Sequence, residues 1–208
     1  MQINQLFMGK IIDKFLKIAP GGYYGLLSVT IRFCGDISAL LLFPGYDFTK
    51  NMISDLGVGP GAIFFSLGII LSGIVSIPFY VAFVRSLKIN GYFEKTRKSS
   101  LILFYIANIA YIMLGIFPSN QSNYQIYVIH GIFAFIWVLA TIINLLLFSF
   151  LMVKNNKFTK LPVYISVFLI GCLMLFLFTW VPIFEWILSI AVFIWFTITS
   201  SYLIYHKL

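Results

Sequence analysis

Charged residues are scarce in this chain of 208 residues. Only 10% of the residues are Asp, Glu, Lys or Arg, and only six of them are acidic. Soluble domains carry about 25% charged residues, so the composition excludes an ordinary soluble domain. Cysteine is scarce as well, since Cys34 and Cys172 are the only two and both lie inside apolar segments. Neither a disulfide framework nor a zinc site is indicated.

Apolar residues dominate the composition. They make up 61% of the sequence, and the mean hydropathy is +1.01. Runs of about twenty apolar residues are long enough to cross the hydrocarbon core of a bilayer as helices. The sequence therefore predicts an all-α, polytopic membrane protein, a bundle of six transmembrane helices. The predicted spans are residues 22–43, 61–84, 99–117, 126–153, 161–181 and 184–205.

The spans leave no room for a separate soluble domain, so residues 21–208 are predicted to form one transmembrane domain. Residues 1–20 precede it and show apolar side chains at helical spacing, with Lys10, Lys14 and Lys17 on another face. This pattern is typical of a basic amphipathic helix that lies on an anionic membrane surface.

Basic residues occur in every second connection between the spans, and this distribution predicts the orientation of the bundle. They cluster before the first span, between the second and third, between the fourth and fifth, and at the end of the chain, whereas the opposite side holds only Lys50. The positive-inside rule then gives both termini inside, in a cytoplasmic membrane. The formal charge of +8 is explained by this distribution, and no nucleic-acid partner is predicted.

A short polar loop joins the first two spans within residues 43–76. It reads I-S-D-L-G at residues 53–57, and later the chain reads G-I-F-P at 115–118 and H-G at 130–131. These motifs resemble an uncharacterised six-helix family of prokaryotic membrane proteins, and more distantly the DRAM/Sfk-type membrane proteins. The resemblance implies the six-helix fold and implies no particular activity.

Two opposite charges lie inside the first span, Arg32 and Asp36, one helical turn apart. A charge at the bilayer centre costs about 2.5–3.5 kcal/mol on insertion scales, so both are predicted to face the bundle interior. One interpretation is an ion pair that holds the first helix to its neighbours. The other is the polar floor of a pocket that opens outward.

Several other polar side chains belong to the outer half of the bundle. One histidine with several carboxylates could bind a cation or perform acid–base chemistry. The alternatives are a solvated histidine and a loop in which Ser54 and Asp55 only cap a helix. The candidate binding pocket combines these residues with the ion pair: Arg32, Asp36, Asp47, Ser54, Asp55, His130 and Glu185.

Small residues recur every four positions in the second span, at Gly68, Ser72 and Ser76. They are predicted to let a neighbouring helix approach closely. Asn108 and Asn144 in later spans are interpreted as hydrogen-bonding links between helices. No catalytic residue, metal site or cofactor is assigned.

Three functions are compatible with this pattern. The first is a non-catalytic protein that binds a lipid or a partner membrane subunit through the outer loop and the pocket below it. The second is a transporter of a small solute or ion that uses Arg32 and Asp36. The third is an intramembrane enzyme that acts on lipid head groups with His130 and a carboxylate.

Overall fold

Helices account for most of the chain. A computed structural model describes residues 2–89 and 92–208, with side chains described from residue 10 onward. The described elements are α1 (Gln2–Ile18), α2 (Gly21–Leu41), a 3₁₀ helix (Ile53–Gly57), α3 (Ala62–Ser86), α4 (Glu94–Ile116), α5 (Tyr124–Lys154), α6 (Lys160–Thr179) and α7 (Pro182–Tyr205).

The last six α-helices are each long and apolar enough to cross a membrane. The prediction of an all-α, six-helix membrane bundle is confirmed, and the protein is a multi-pass membrane protein. The largest difference from the predicted spans is at α4, which begins at Glu94 rather than near residue 99. Its first turn is charged and carries an ion pair of 2.6 Å between Arg97 and Glu94, so a count of apolar residues misses it. The orientation and the identity of the membrane stay predictions.

The six spanning helices form a closed ring. Each packs against the next along the chain from α2 to α7, and α7 packs back against α2. We call the end that carries residues 42–61 the outer end, after the predicted orientation, and the opposite end the inner end. A ring of this kind surrounds an interior between the helices.

Aromatic side chains fill the inner end of the ring. Phe79 and Phe83 of α3, Phe148 of α5 and Trp195 of α7 are all buried and pack edge to face or stacked against one another. The Trp195 indole donates a hydrogen bond of 2.8 Å to the Ser166 hydroxyl, which fixes the ring in place. This cluster closes the interior toward the inner end.

Residues 42–61, the outer loop, fold over the outer end. Ile53 and Leu56 of the 3₁₀ helix are buried in a cluster with Phe65, so the loop is packed as part of the core. The Tyr46 hydroxyl receives a hydrogen bond of 2.9 Å from the Trp186 indole and donates one of 2.6 Å to the Met52 carbonyl. Burial raises the pKa of Tyr46, so this hydroxyl stays a donor at any physiological pH.

Helix α1 lies against α3 outside the ring. Ile12 is buried, and Asp13 forms an ion pair of 2.6 Å with Arg85. Among the described side chains, Phe15 and Ile18 are exposed, and so are the three lysines of the predicted basic face. The apolar face predicted for residues 3–7 lies outside the described side chains. The position of α1 on a membrane surface stays a prediction.

Candidate functional site

The ring encloses two adjoining cavities. The outer cavity has a volume of about 90 Å³ and lies beneath the 3₁₀ helix, and the inner cavity has a volume of about 80 Å³ and reaches down to the aromatic cluster. The side chains that line both cavities are Arg32, Tyr111, Trp137, Val192 and Phe193. Arg32 therefore lies where the two cavities meet.

Three polar side chains from different elements line the outer cavity near the loop: Ser54, His130 and Glu185. The N–H and the hydroxyl of Ser54 both face the Glu185 Oε2 atom, at 3.3 Å and 3.4 Å. Glu185 lies in the first turn of α7, where the helix dipole favours an anion. The outer loop and α7 thus meet at one carboxylate.

His130 of α5 is buried, and its Nδ1 atom lies 2.7 Å from the Phe117 carbonyl oxygen. A carbonyl oxygen only accepts hydrogen bonds, so Nδ1 carries the proton and donates it to this bond. In the neutral imidazole, Nε2 is then an acceptor without a proton. The outer cavity is therefore lined by two acceptors, this nitrogen and the Glu185 carboxylate.

Arg32 and Asp36 form the ion pair that was one of the two interpretations. Arg32 Nη2 lies 2.9 Å from Asp36 Oδ1, and the two side chains are 10% and 3% exposed. The Arg32 guanidinium carbon also lies 4.3 Å from the centroid of the Phe65 ring. The pair is poorly aligned for hydrogen bonding, since Arg32 Nη1 and both Asp36 oxygens have no hydrogen-bond partner among the described residues. Arg32 lines both cavities and Asp36 lines neither, so the interpretation of the pair as a pocket floor stays a prediction.

Asp47 and Asp55 do not line the outer cavity. Asp47 is exposed, and its carboxylate accepts hydrogen bonds from the hydroxyl and the N–H of Thr49 and pairs with Lys50. These hydrogen bonds, together with Lys50, hold the pKa of Asp47 near 2. Asp55 accepts a hydrogen bond of 2.9 Å from the Met52 N–H and so caps the 3₁₀ helix. Asp47, unlike Ser54 and Glu185, lies outside the outer cavity.

The acidic residues differ in how their charge is balanced. Among the described side chains, Asp13, Asp36, Asp47 and Glu94 each have a cationic nitrogen within 4.0 Å. Asp55 has its backbone donor in the loop. Glu185 has the Ser54 donors and the Ile53 N–H, and no cationic side chain within that distance among the described residues.

The predicted packing residues lie where α2, α3 and α4 meet. A Cβ added at Gly68 would lie 3.2 Å from the Gly35 Cα atom of α2. The Ser28 hydroxyl donates to the Ser72 carbonyl at 2.9 Å. The Ser76 hydroxyl donates to the Gly73 carbonyl at 2.8 Å and lies 3.3 Å from the Asn108 side-chain oxygen, and the Asn108 amide donates to the Gly73 carbonyl at 3.0 Å. Asn108 therefore links two helices, as interpreted from the sequence.

The sequence gives no signal for several residues of the cavity walls. Trp137 and Tyr111 line both cavities, but in an apolar helix they look like ordinary core aromatics. Asn144 was interpreted as a link between helices, yet its buried Oδ1 atom has no hydrogen-bond partner among the described residues. Within the part of the chain that the structure describes, no group of three or more His, Cys, Asp or Glu side chains could hold a metal ion.

Comparison with known proteins gives one match. A family described as "Protein of unknown function (DUF998)" matches residues 26–202, which is most of the chain. Neither the search of curated proteins nor the search of solved structures found a match. The match confirms the resemblance to an uncharacterised family. The two short motifs as its signature, and the distant similarity to DRAM/Sfk-type proteins, stay predictions.

Proposed function

We propose that this chain, which belongs to the DUF998 family of proteins of unknown function, binds an amine-bearing lipid in the outer cavity. The ammonium group of the lipid contacts Glu185, and its acyl chains stay in the bilayer. The proposal refines the lipid-binding prediction made from the sequence. It is a binding function and includes no catalytic step.

The observation that carries the proposal is the charge of Glu185. Its carboxylate lines a cavity inside a membrane bundle and has no cationic side chain near it among the described residues. A carboxylate held away from water costs several kcal/mol unless it is paired, and the α7 dipole offsets only about 0.3–1 kcal/mol of that, so without a cationic partner the group takes up a proton instead. A cationic ligand supplies the missing partner.

The other groups of the outer cavity fit the same ligand. His130 Nε2 is a second hydrogen-bond acceptor, and an ammonium group has three donors to give. Trp137 adds an aromatic wall of the kind that attracts cations. The Arg32–Asp36 pair is neutral as a whole, so it leaves the excess negative charge of Glu185 unchanged.

The volume of the outer cavity limits the size of the group that it can bind. A cavity of about 150 Å³ holds one benzene molecule, so the 90 Å³ of the outer cavity accommodates roughly four heavy atoms. The terminal ethanolamine group of a phospholipid has this size. A whole phospholipid does not fit, so the rest of the molecule must lie outside the ring.

The test compares two lipids and three proteins. Dioleoyl-phosphatidylethanolamine and dioleoyl-phosphatidylglycerol share their chains and their phosphate, and only the first has an amine. The proteins are the parent, Glu185→Gln, and the matched control Asp47→Asn, which removes an outer carboxylate that does not line the cavity. Native mass spectrometry and thermal unfolding in detergent report the bound lipid and the stabilisation that it causes.

We expect the ethanolamine lipid to be retained by the parent and by Asp47→Asn, and to be lost from Glu185→Gln. We expect the glycerol lipid to bind all three proteins equally weakly. Equal retention of both lipids by the parent, or unchanged retention by Glu185→Gln, would refute the proposal. A changed mass of the bound lipid would instead support the enzyme hypothesis.

The transporter hypothesis has one supporting observation, namely that the two cavities meet at Arg32. The aromatic cluster packs across the inner end of the ring, which counts against a path through the bundle. Binding is therefore the function that the geometry supports best. Transport, catalysis and a partner subunit stay predictions.

A further inference from the structure

We infer that α1 is a binding surface for an anionic phospholipid of the leaflet at the inner end of the bundle. The surface consists of two neighbouring faces of the helix, a basic face and an apolar face, and we call the two together the α1 surface. It lies at the opposite end of the ring from Glu185, so a lipid that binds there does not depend on the outer cavity.

The described side chains of α1 form three faces. Each face repeats at the spacing of three and four residues that keeps side chains on one side of a helix, and the faces follow one another at roughly 100° around it. The first face packs on the ring, with Ile12 buried and Leu16 half-buried. The other two faces are exposed and form the α1 surface, namely the apolar Ile11, Phe15 and Ile18 at 40%, 45% and 79%, and the basic Lys10, Lys14 and Lys17.

Contacts with α2 and α3 fix the direction of the apolar face. The Asp13 carboxylate pairs with Arg85 of α3 at 2.6 Å, and the Tyr24 hydroxyl of α2 donates a hydrogen bond of 2.7 Å to the Phe15 carbonyl. The Phe15 ring packs edge to face on the Tyr24 ring, with 6.3 Å between the centroids. Tyr24 lies in the first turn of a spanning helix, so the apolar face of α1 is turned toward the spanning part of the bundle.

The charges of the inner end select an anionic partner. This end holds ten lysines and two arginines but only two acidic residues. The two acidic residues pair with the two arginines, Asp13 with Arg85 and Glu94 with Arg97, each at 2.6 Å. The three lysines of the α1 surface have no carboxylate within 4.0 Å among the described residues. An anionic lipid supplies the counter-charge, whereas a zwitterionic lipid supplies no net charge.

A lipid fits both faces of the α1 surface. Its acyl chains contact the apolar face, and its phosphate faces the lysines beside it, which is the arrangement of a helix that lies in the membrane interface. A soluble acidic protein or a nucleic acid would cover the lysines and leave the apolar face in water. The pairing of the two faces therefore identifies an anionic phospholipid as the occupant.

The test measures which lipid lies next to α1. In a background with Cys34 and Cys172 replaced by Ala, cysteine is introduced at Tyr23, an exposed residue at the start of α2 outside the α1 surface, and is labelled with the fluorophore NBD. The full chain is reconstituted into phosphatidylcholine vesicles with a small fraction of nitroxide-labelled phosphatidylglycerol or nitroxide-labelled phosphatidylcholine, both with the same chains. Quenching of NBD reports the local concentration of each labelled lipid. Both leaflets have the same composition, so the orientation of the protein does not affect the result.

We expect phosphatidylglycerol to be enriched at least roughly fivefold over phosphatidylcholine near the label, which is the effect of one lysine at an anionic lipid surface. The enrichment should fall in 1 M salt, because the Debye length shortens from about 10 Å at 0.1 M to about 3 Å. Replacing Lys10, Lys14 and Lys17 together with Gln should bring the ratio close to one.

The matched control replaces Lys154, Lys157 and Lys160 with Gln, which removes the same charge from another connection of the inner end. We expect this variant to keep most of the enrichment. Thermal unfolding of both triple variants checks that exposed lysines can be replaced without loss of the fold.

Equal quenching by the two lipids in the parent protein would overturn the inference, and so would the absence of quenching by either lipid. An equal loss of enrichment in the two triple variants would also overturn it, because the preference would then come from the net charge of the inner end and not from α1. The parent comparison needs no lysine variant. The Glu185→Gln experiment uses an amine-bearing lipid at the other end of the ring, so either experiment can fail while the other succeeds.

Discussion

Single charges carry most of the functional information in this protein, because a membrane interior makes each of them costly. Arg32 and Asp36 balance each other at 2.9 Å, whereas Glu185 meets uncharged donors of Ser54 and Ile53. The first charge has its counter-charge within one helix, and the second has no cationic side chain within 4.0 Å among the described residues. The proposal of a bound amine rests on this difference.

Removing one partner of the Arg32–Asp36 pair should be far more damaging than removing both. Arg32→Ala leaves a buried carboxylate without its cation, and breaking a buried pair costs about 3–5 kcal/mol. Replacing Arg32 with Leu and Asp36 with Ala together removes both charges, so we expect the double variant to recover most of the stability. Thermal unfolding in detergent measures both effects. Single variants at Arg32 and Asp36 that unfold like the parent would show that the pair does not stabilise the fold.

At the residue scale, only part of the predicted pocket lies on a cavity wall, since Arg32, Ser54, His130 and Glu185 line a cavity and Asp36, Asp47 and Asp55 do not. Ser54, His130 and Glu185 lie around one cavity, although they are far apart in the chain. His130 and Glu185 can be singled out from the sequence because charges and histidines are rare in it. Asp47 was assigned to the pocket from its position in the loop, but its neighbours Thr49 and Lys50 hold it at the surface. Asn144 has no sequence feature that distinguishes it from Asn108.

Between elements, α2 and α3 approach each other closely at two glycines. Gly35 and Gly68 lie face to face, and a Cβ at Gly35 would lie 2.7 Å from the Phe64 carbonyl oxygen and 2.9 Å from the Gly68 Cα atom. The spacing of Gly68, Ser72 and Ser76 predicts a close approach, but a repeat within one helix does not identify the partner helix. Gly35 was found only in the structure.

Gly35→Ala should weaken this contact. The atoms that the new methyl group meets belong to the backbone, which cannot rotate away, so we expect a loss of about 1–3 kcal/mol. Gly171→Ala in α6 is the matched control, since a Cβ there meets nothing within 4 Å. We expect it to be neutral or slightly stabilising, because Ala is the better helix former. Thermal unfolding of both variants is the measurement, and an equal response of the two would contradict the close contact of α2 with α3.

On the scale of the whole molecule, helix number and length follow from hydropathy, because the bilayer thickness fixes the length of an apolar span. Hydropathy does not predict the closure of the ring between α7 and α2. All six spans are apolar over much of their surface, so hydropathy does not identify which helices are neighbours. The two cavities depend on that closure, so their existence could not be predicted. The sequence predicts a polar loop over a pocket, and the structure adds that the loop is packed into the core through Ile53 and Leu56.

The orientation of the whole bundle rests on charge alone and can be tested by cysteine labelling. In a background with Cys34 and Cys172 replaced by Ala, we introduce cysteine at Lys50 or Asn123 of the outer end, and at Lys95 or Lys157 of the inner end. The positive-inside rule predicts that an impermeant thiol reagent labels only the first two in intact cells.

Permeabilised cells provide the control, because all four cysteines should then react if each position is accessible to water. Labelling of Lys95→Cys in intact cells would show that the orientation of the bundle is the reverse of the predicted one. It would place the outer loop and Glu185 on the inner side of the membrane, and the lipid that reaches the outer cavity would then have to come from the opposite leaflet. The geometry of both cavities would be unchanged, since it depends on the ring and not on its direction in the membrane. The labelling result therefore decides which leaflet supplies the amine-bearing lipid, while the Glu185→Gln experiment decides whether that lipid binds.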